Sequence, residues 1–316
     1  MSLFTSSSKF KESAKPLALF LGVQAIACTL VLLVPWTGAG WFQDLIVEQV
    51  DGDSRDVVIM GDSKVFPFVD GRIDCPFFEQ PAYAFAWDSS TVLYHRILYD
   101  RLIHETSLRP KVVFYSLGAN NFAEEGLHVQ RDYAIRFVAR PKDLIGYTGM
   151  KGSLPFLADA FFSRLYPIYG RRIEITHLMF RGYKMREIDL SPPERDPIAD
   201  QNYLLIYQRG FFSNYKVSEF HMENLKRFSE EVRASGAELI LLDLPVTQEM
   251  RDLEKEFAQE WDDRIQRFSE DNQVRYLDLR DHPEMLFRDI NHLSNISAKE
   301  VSERWLQPLV DEGLGQ

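Results

Sequence analysis

Two cysteines in 316 residues, Cys28 and Cys75, leave this chain almost no covalent means of holding itself together. Cys28 falls inside a long apolar run, so the two are not expected to pair, and the fold must rest on its core. Positive charge is also short. Lys and Arg total 36 against 47 Asp and Glu, a formal net charge of −11. That balance argues against nucleic acid as a partner, because phosphate binding draws on clustered cations. Glycine-rich phosphate loops are missing too. Gly38 and Gly40 have no third glycine and no preceding strand, and no P-loop sequence occurs. Internal repeats are absent, and no residue cluster calls for a metal or a cofactor.

What the chain does have is an ordinary globular composition, 45% hydrophobic and 26% charged, behind an unusual N-terminus. Residues 17–34, "LALFLGVQAIACTLVLLV", carry no charge and one amide, Gln24. Such a run just suffices to cross a hydrocarbon core about 30 Å thick. Lys9, Lys11 and Lys15 precede it, while Asp44, Glu48, Asp51 and Asp53 follow. The positive-inside rule then puts the N-terminus in the cytoplasm and the rest outside the cytoplasmic membrane, periplasmic or extracellular. An uncleaved anchor is favoured over a signal peptide cut at "TGAG" or a lipoprotein signal ending at Cys28. The expected division is a stub and transmembrane helix over 1–35, a connector over 36–54 and one folded domain over 55–316.

Within that domain strand and helix patterns alternate. Buried-strand runs occur at "DVVIM", "KVVFYSLG", "AELILLDLPV" and "VRYLDLR". Between and after them, residues 90–106, 216–236, 248–272 and 297–312 have helical spacing. The pattern predicts an α/β fold, a doubly wound parallel sheet with its active site at the carboxyl ends of the strands. Residues 122–213 break the alternation. They are rich in aromatics and in arginines, among them Arg131, Arg136, Arg140, Arg171, Arg172, Arg181 and Arg186. A mostly helical insertion is expected there.

Three short stretches sit where elements should end: Gly61-Asp62-Ser63, Gly118-Ala119-Asn120-Asn121 and Asp289-Ile290-Asn291-His292. A serine needs an adjacent base to attack a carbonyl, histidine is the usual base, and a carboxylate fixes its tautomer. Asp289 and His292 have the spacing for that contact, and an amide such as Asn120 can donate to an oxyanion. Each stretch also has a plain reading as a turn or cap. Lys64, beside the serine, reads first as a solvated turn lysine and second as a group for an anion. His282 is the second-choice base.

In this order the stretches resemble the blocks of the SGNH, or GDSL-type, hydrolase superfamily, over most of residues 57–310. The resemblance implies Ser63 as nucleophile, Asp289 and His292 as its partners, and Asn120, with Gly118 beside it, at the oxyanion. The glycine donor that the superfamily places after its next block has no counterpart in "AYAFAWDSSTV", which leaves the backbone of Ser89 as the candidate. Asn121 stands where the pattern has aspartate. The single span, the outside domain, the insertion and the C-terminal stretch are similar to the D-alanyl transfer proteins of teichoic acid modification and to SGNH proteins of polysaccharide O-acetylation. That likeness implies a multispanning membrane-bound O-acyltransferase as partner and an envelope polysaccharide or polymer as acceptor. The sequence leaves open transfer, removal of acyl groups, and a non-catalytic assembly role.

Overall fold

The computed structural model describes residues 52–88, 90–124, 186–282 and 284–315, with residues 22, 46, 49 and 50 besides. The apolar run at 17–34 (Gly22 apart), Ser89 and residues 125–185 of the insertion lie outside the described residues. Among the described residues no helix is long and apolar enough to cross a membrane. The chain divides into two compact units, residues 43–140 with 184–316, and residues 1–42 with 141–183. Only the first is described below.

It is built on one sheet of six strands: β1 (Val57–Gly61), β2 (Asp74–Cys75), β3 (Ala82–Ala86), β4 (Val112–Leu117), β5 (Glu238–Asp243) and β6 (Arg275–Asp278). Its seven described α-helices are α1 (Val92–Glu105), α2 (Pro197–Gly210), α3 (Glu219–Ala234), α4 (Gln248–Glu254), α5 (Ala258–Asn272), α6 (Asn295–Val301) and α7 (Gln307–Leu314). Across the sheet the order is β2-β3-β1-β4-β5-β6, with every pairing parallel except β2 against β3. The parallel strands therefore run second, first, third, fourth, fifth, the order of a doubly wound sheet whose crevice opens where the order reverses. Here that point lies between the carboxyl ends of β1 and β4. Every residue of β1 and β4 is buried, as strands covered on both faces must be.

Three elements differ from the sequence expectation. The "AYAFA" stretch, residues 82–86, which is not among the expected strands, is a fully paired strand beside β1, although it holds no β-branched residue. The helix expected over 248–272 is two helices. Between them Phe257, at φ −123° and ψ 1°, turns inward to pack on Phe212 and stack on Tyr215, ring centroids 4.6 and 3.9 Å away. The last helix widens into a π-turn at Ser302–Leu306 before Pro308. Proline offers no N–H to the regular ladder, and a wider turn absorbs the missing bond.

Cys75 is a buried free thiol on β2, pushed up to about 12 by burial. Its surroundings are those of a structural side chain.

Candidate active site

Gly61 ends β1 where only a glycine fits. A Cβ there would come within 2.5 Å of Val65 Cγ2 and 2.7 Å of Ser116 Cβ. The next residue, Asp62, caps the 3-10 turn Ser63–Phe68, its Oδ1 accepting the Lys64 N–H at 3.0 Å. Capping pulls the chain into a tight turn straight off the strand and sets Ser63 as its first residue, half-buried at the sheet edge. Glycine, acid and hydroxyl thus have separate physical duties.

The facing loop is pinned from several sides. Phe287 bridges Leu293, the Arg288 N–H donates to the His292 carbonyl, and Thr247 Oγ1 donates to the Ile290 carbonyl. Asn295, opening α6, donates to the Pro67 carbonyl at 2.7 Å and ties this loop to the Ser63 turn. Inside it, Asp289 Oδ1 accepts the backbone N–H groups of Asn291 and His292, each at 2.9 Å. Both Asp289 oxygens lie 2.8 Å from His292 Nδ1, and His292 Nε2 lies 2.8 Å from Ser63 Oγ. An ionised Asp289 takes the Nδ1–H, which leaves Nε2 to accept the serine proton. Burial pushes the Asp289 carboxyl up. The hydrogen bond to His292, that ring's charge and the two backbone donors outweigh it and hold the group below the usual carboxylate range.

Asn120 enters from the 3-10 turn Ala119–Phe122 at the end of β4. Its Nδ2 donates to Asn121 Oδ1 at 2.6 Å, and Asn121 Nδ2 donates to Asp62 Oδ2 at 2.9 Å. Asp62 thus orders the nucleophile turn with one oxygen and the Asn120 carboxamide, through Asn121, with the other. The amide at Asn121 suits this place. An aspartate there would set two carboxylates side by side in a buried site. Gly118 is also required. A Cβ on it would lie 2.7 Å from Asn120 Oδ1 and 2.9 Å from Lys64 Nζ.

Sequence reasoning missed Tyr207 on α2, whose hydroxyl accepts from Asn291 Nδ2 at 2.7 Å. Nothing in the pattern of residues 122–213 marks that tyrosine. It missed the fate of Lys64 as well. The side chain is 2% exposed, so it is no solvated turn lysine. The second-choice base, His282, is placed elsewhere, with Glu284 at 3.0 Å and the Trp305 ring alongside. Of the seven arginines named in the insertion only Arg186 is described, its guanidinium 3.5 Å above the Phe66 ring. Ser89 lies outside the described residues, between Asp88 and a tethered Ser90. Ser90 Oγ donates to the Trp87 carbonyl at 2.7 Å and is met by His95 Nε2 at 2.6 Å. Desolvation lowers His95 to about 3, so this second Ser–His pair is a neutral strut.

Behind the site Glu254 is 6% exposed, and desolvation raises it to about 7. Its folded value lies above the 4.5 of an ordinary glutamate, so near neutral pH the native state keeps a proton that the unfolded chain has released. The stability it gives is whole below about 4.5 and is lost as pH rises through about 7. Glu254→Gln keeps the neutral shape. It should melt with the wild type at pH 4.5 and several degrees above it at pH 8, a gain on the order of 2–3 kcal/mol by thermal denaturation.

No protein-family model matches the chain, and no curated protein matches it. Among solved structures it is similar to a GDSL-like lipase from Bacteroides thetaiotaomicron, at 12% identity and TM-score 0.42, covering 87% of this chain and 99% of that one. It is also similar to an acetylxylan esterase from Geobacillus stearothermophilus, at 11% identity and TM-score 0.36, covering 84% and 95%. Likenesses this distant leave the functional reading to the side chains themselves.

Proposed function

We propose that the chain is a serine O-acyltransferase of the SGNH type, working on a cell-envelope polysaccharide or polymer outside the cytoplasmic membrane. The observation that carries this reading is the unbroken contact from Ser63 Oγ through His292 to Asp289, 2.8 Å at each step. Ser63 Oγ bonds to the acyl carbon of an ester while His292 Nε2 takes its proton. The bond to the donor alcohol breaks, and the imidazolium returns the proton to the leaving oxygen. A sugar hydroxyl, deprotonated by His292, then takes the acyl group and frees Ser63. Water in its place makes the enzyme an esterase. Asn120 donates to the oxyanion in both halves, with the backbone of Ser89 as second donor. Residues 17–34 anchor the chain, and the acyl donor arrives through a multispanning O-acyltransferase.

The test is deletion of the gene and complementation with wild type, with Ser63→Ala, or with a secreted form lacking residues 1–35. Polymer acylation lost on deletion and restored by wild type but not by Ser63→Ala supports transfer. A rise in acylation on deletion assigns removal of acyl groups. Full rescue by Ser63→Ala makes the role non-catalytic.

A further inference from the structure

Lys64 is the residue of the site that the triad does not use. It follows the nucleophile in the chain, yet its side chain turns back under the sheet edge and is 2% exposed. Its Nζ and Asn120 Oδ1 both lie within 3 Å of the one point where a Gly118 Cβ would stand. Among the described residues Lys64 Nζ makes no ion pair and no hydrogen bond. The nearby acids are otherwise occupied. Asp62 spends its oxygens on the Lys64 N–H and on Asn121. Asp243 accepts from Trp261 Nε1 at 2.9 Å, faces Arg280 at 3.5 Å and feels the Lys64 charge without touching it. Arg280 is further held by Asp262 and Asp278. Glu254 feels the Lys64 charge, but burial keeps it partly protonated near neutrality.

We infer that Lys64 supplies a fixed positive charge behind Asn120, which stabilises the oxyanion of the acyl-transfer step without touching the substrate. The inference rests on the proposed function and adds to it a positioning charge that neither the triad nor the amide donor provides. A charge acts over several ångströms in a site of low dielectric, and one held in place needs no rearrangement as the transition state forms. A cation without a contact partner leaves part of that field to act on the reacting atoms, beside what Asp243 and Glu254 take up.

The experiment uses the full chain and p-nitrophenyl acetate as the ester. Lys64→Met should lower kcat roughly 10–100-fold with KM changed by less than about twofold. It should also move the acid limb of the kcat/KM profile to higher pH by about half a unit or more. Loss of a cation makes it easier for the base to hold its proton. Asp62, Asp88, Asp289 and Arg280 also face the site, while Asp243 and Glu254, which feel the Lys64 charge, hold their protons more firmly without it and offset part of the shift. Lys64→Arg should recover part of the rate. An unchanged kcat overturns the inference, as does a fall in Lys64→Met shared equally by Lys64→Arg with the limb unmoved. Ser63→Ala reports separately on the function: turnover that survives it defeats the nucleophile while leaving Lys64 open to a second measurement. The NMR titration of the His292 ring, read without turnover, should move to higher pH in Lys64→Met. A stationary titration overturns the inference whatever the activity.

Discussion

Asp289→Asn should leave the fold standing and lower kcat by about 10⁴-fold. The asparagine Oδ1 can keep both backbone N–H groups that Asp289 Oδ1 accepts, so the loop retains its shape. The amide NH₂ then occupies the place of Oδ2 and faces His292 Nδ1. That nitrogen must become an acceptor, and the ring proton moves to Nε2, where it points at Ser63 Oγ. A histidine so protonated cannot take the serine proton. The measurements are kcat on an activated ester beside the thermal midpoint. Activity within tenfold of wild type in a folded variant would remove Asp289 from the mechanism.

Gly118→Ala should cost kcat about 10²–10³-fold, the usual loss for one oxyanion donor, with little loss of stability. Gly118 is extended, at φ −169° and ψ 134°, so alanine meets no backbone strain there. The new methyl meets Asn120 Oδ1 at 2.7 Å and Lys64 Nζ at 2.9 Å. Lys64 Nζ ends an unbranched chain and needs to give by only a few tenths of an ångström, so its charge stays in the site. Asn120 is tied through Asn121 to Asp62, so relief comes by displacing the amide from its working position. Asn120→Ala should match the loss, and the double variant should lose no more than either alone. Full additivity of the two would mean that the methyl acts on something other than Asn120.

The sequence made the site legible where chemistry lies in neighbouring residues. Gly61-Asp62-Ser63 and Asp289 with His292 are contacts within a turn, and a short string of letters can show them. Tyr207 escaped, and so did the roles of Asn121 and Lys64, because all three depend on partners far along the chain. Asn121 bridges to Asp62, Tyr207 to Asn291, and Lys64 is buried by the end of β4. The alternation of strands and helices likewise pointed to a parallel sheet, since strands buried on both faces read as unbroken apolar runs. The β3 strand was hidden by its alanines, which carry little strand preference. The break before Phe257 was hidden because the pull on that ring comes from Phe212 and Tyr215, outside its own helix.

Ser63 and His292 are 229 residues apart in the chain. Contacts of that separation form late, because closing so long a loop must follow the assembly of what lies between. The hydroxyl is therefore expected to gain its base only when the 284–294 loop docks on the sheet edge, after most of the fold is in place. A refolding chain would recover helix and strand signals before it could be labelled at Ser63 by a fluorophosphonate. The lag between the two would time the last event in the maturation of the molecule. A site arranged in this way stays inert while the chain is still unfolded.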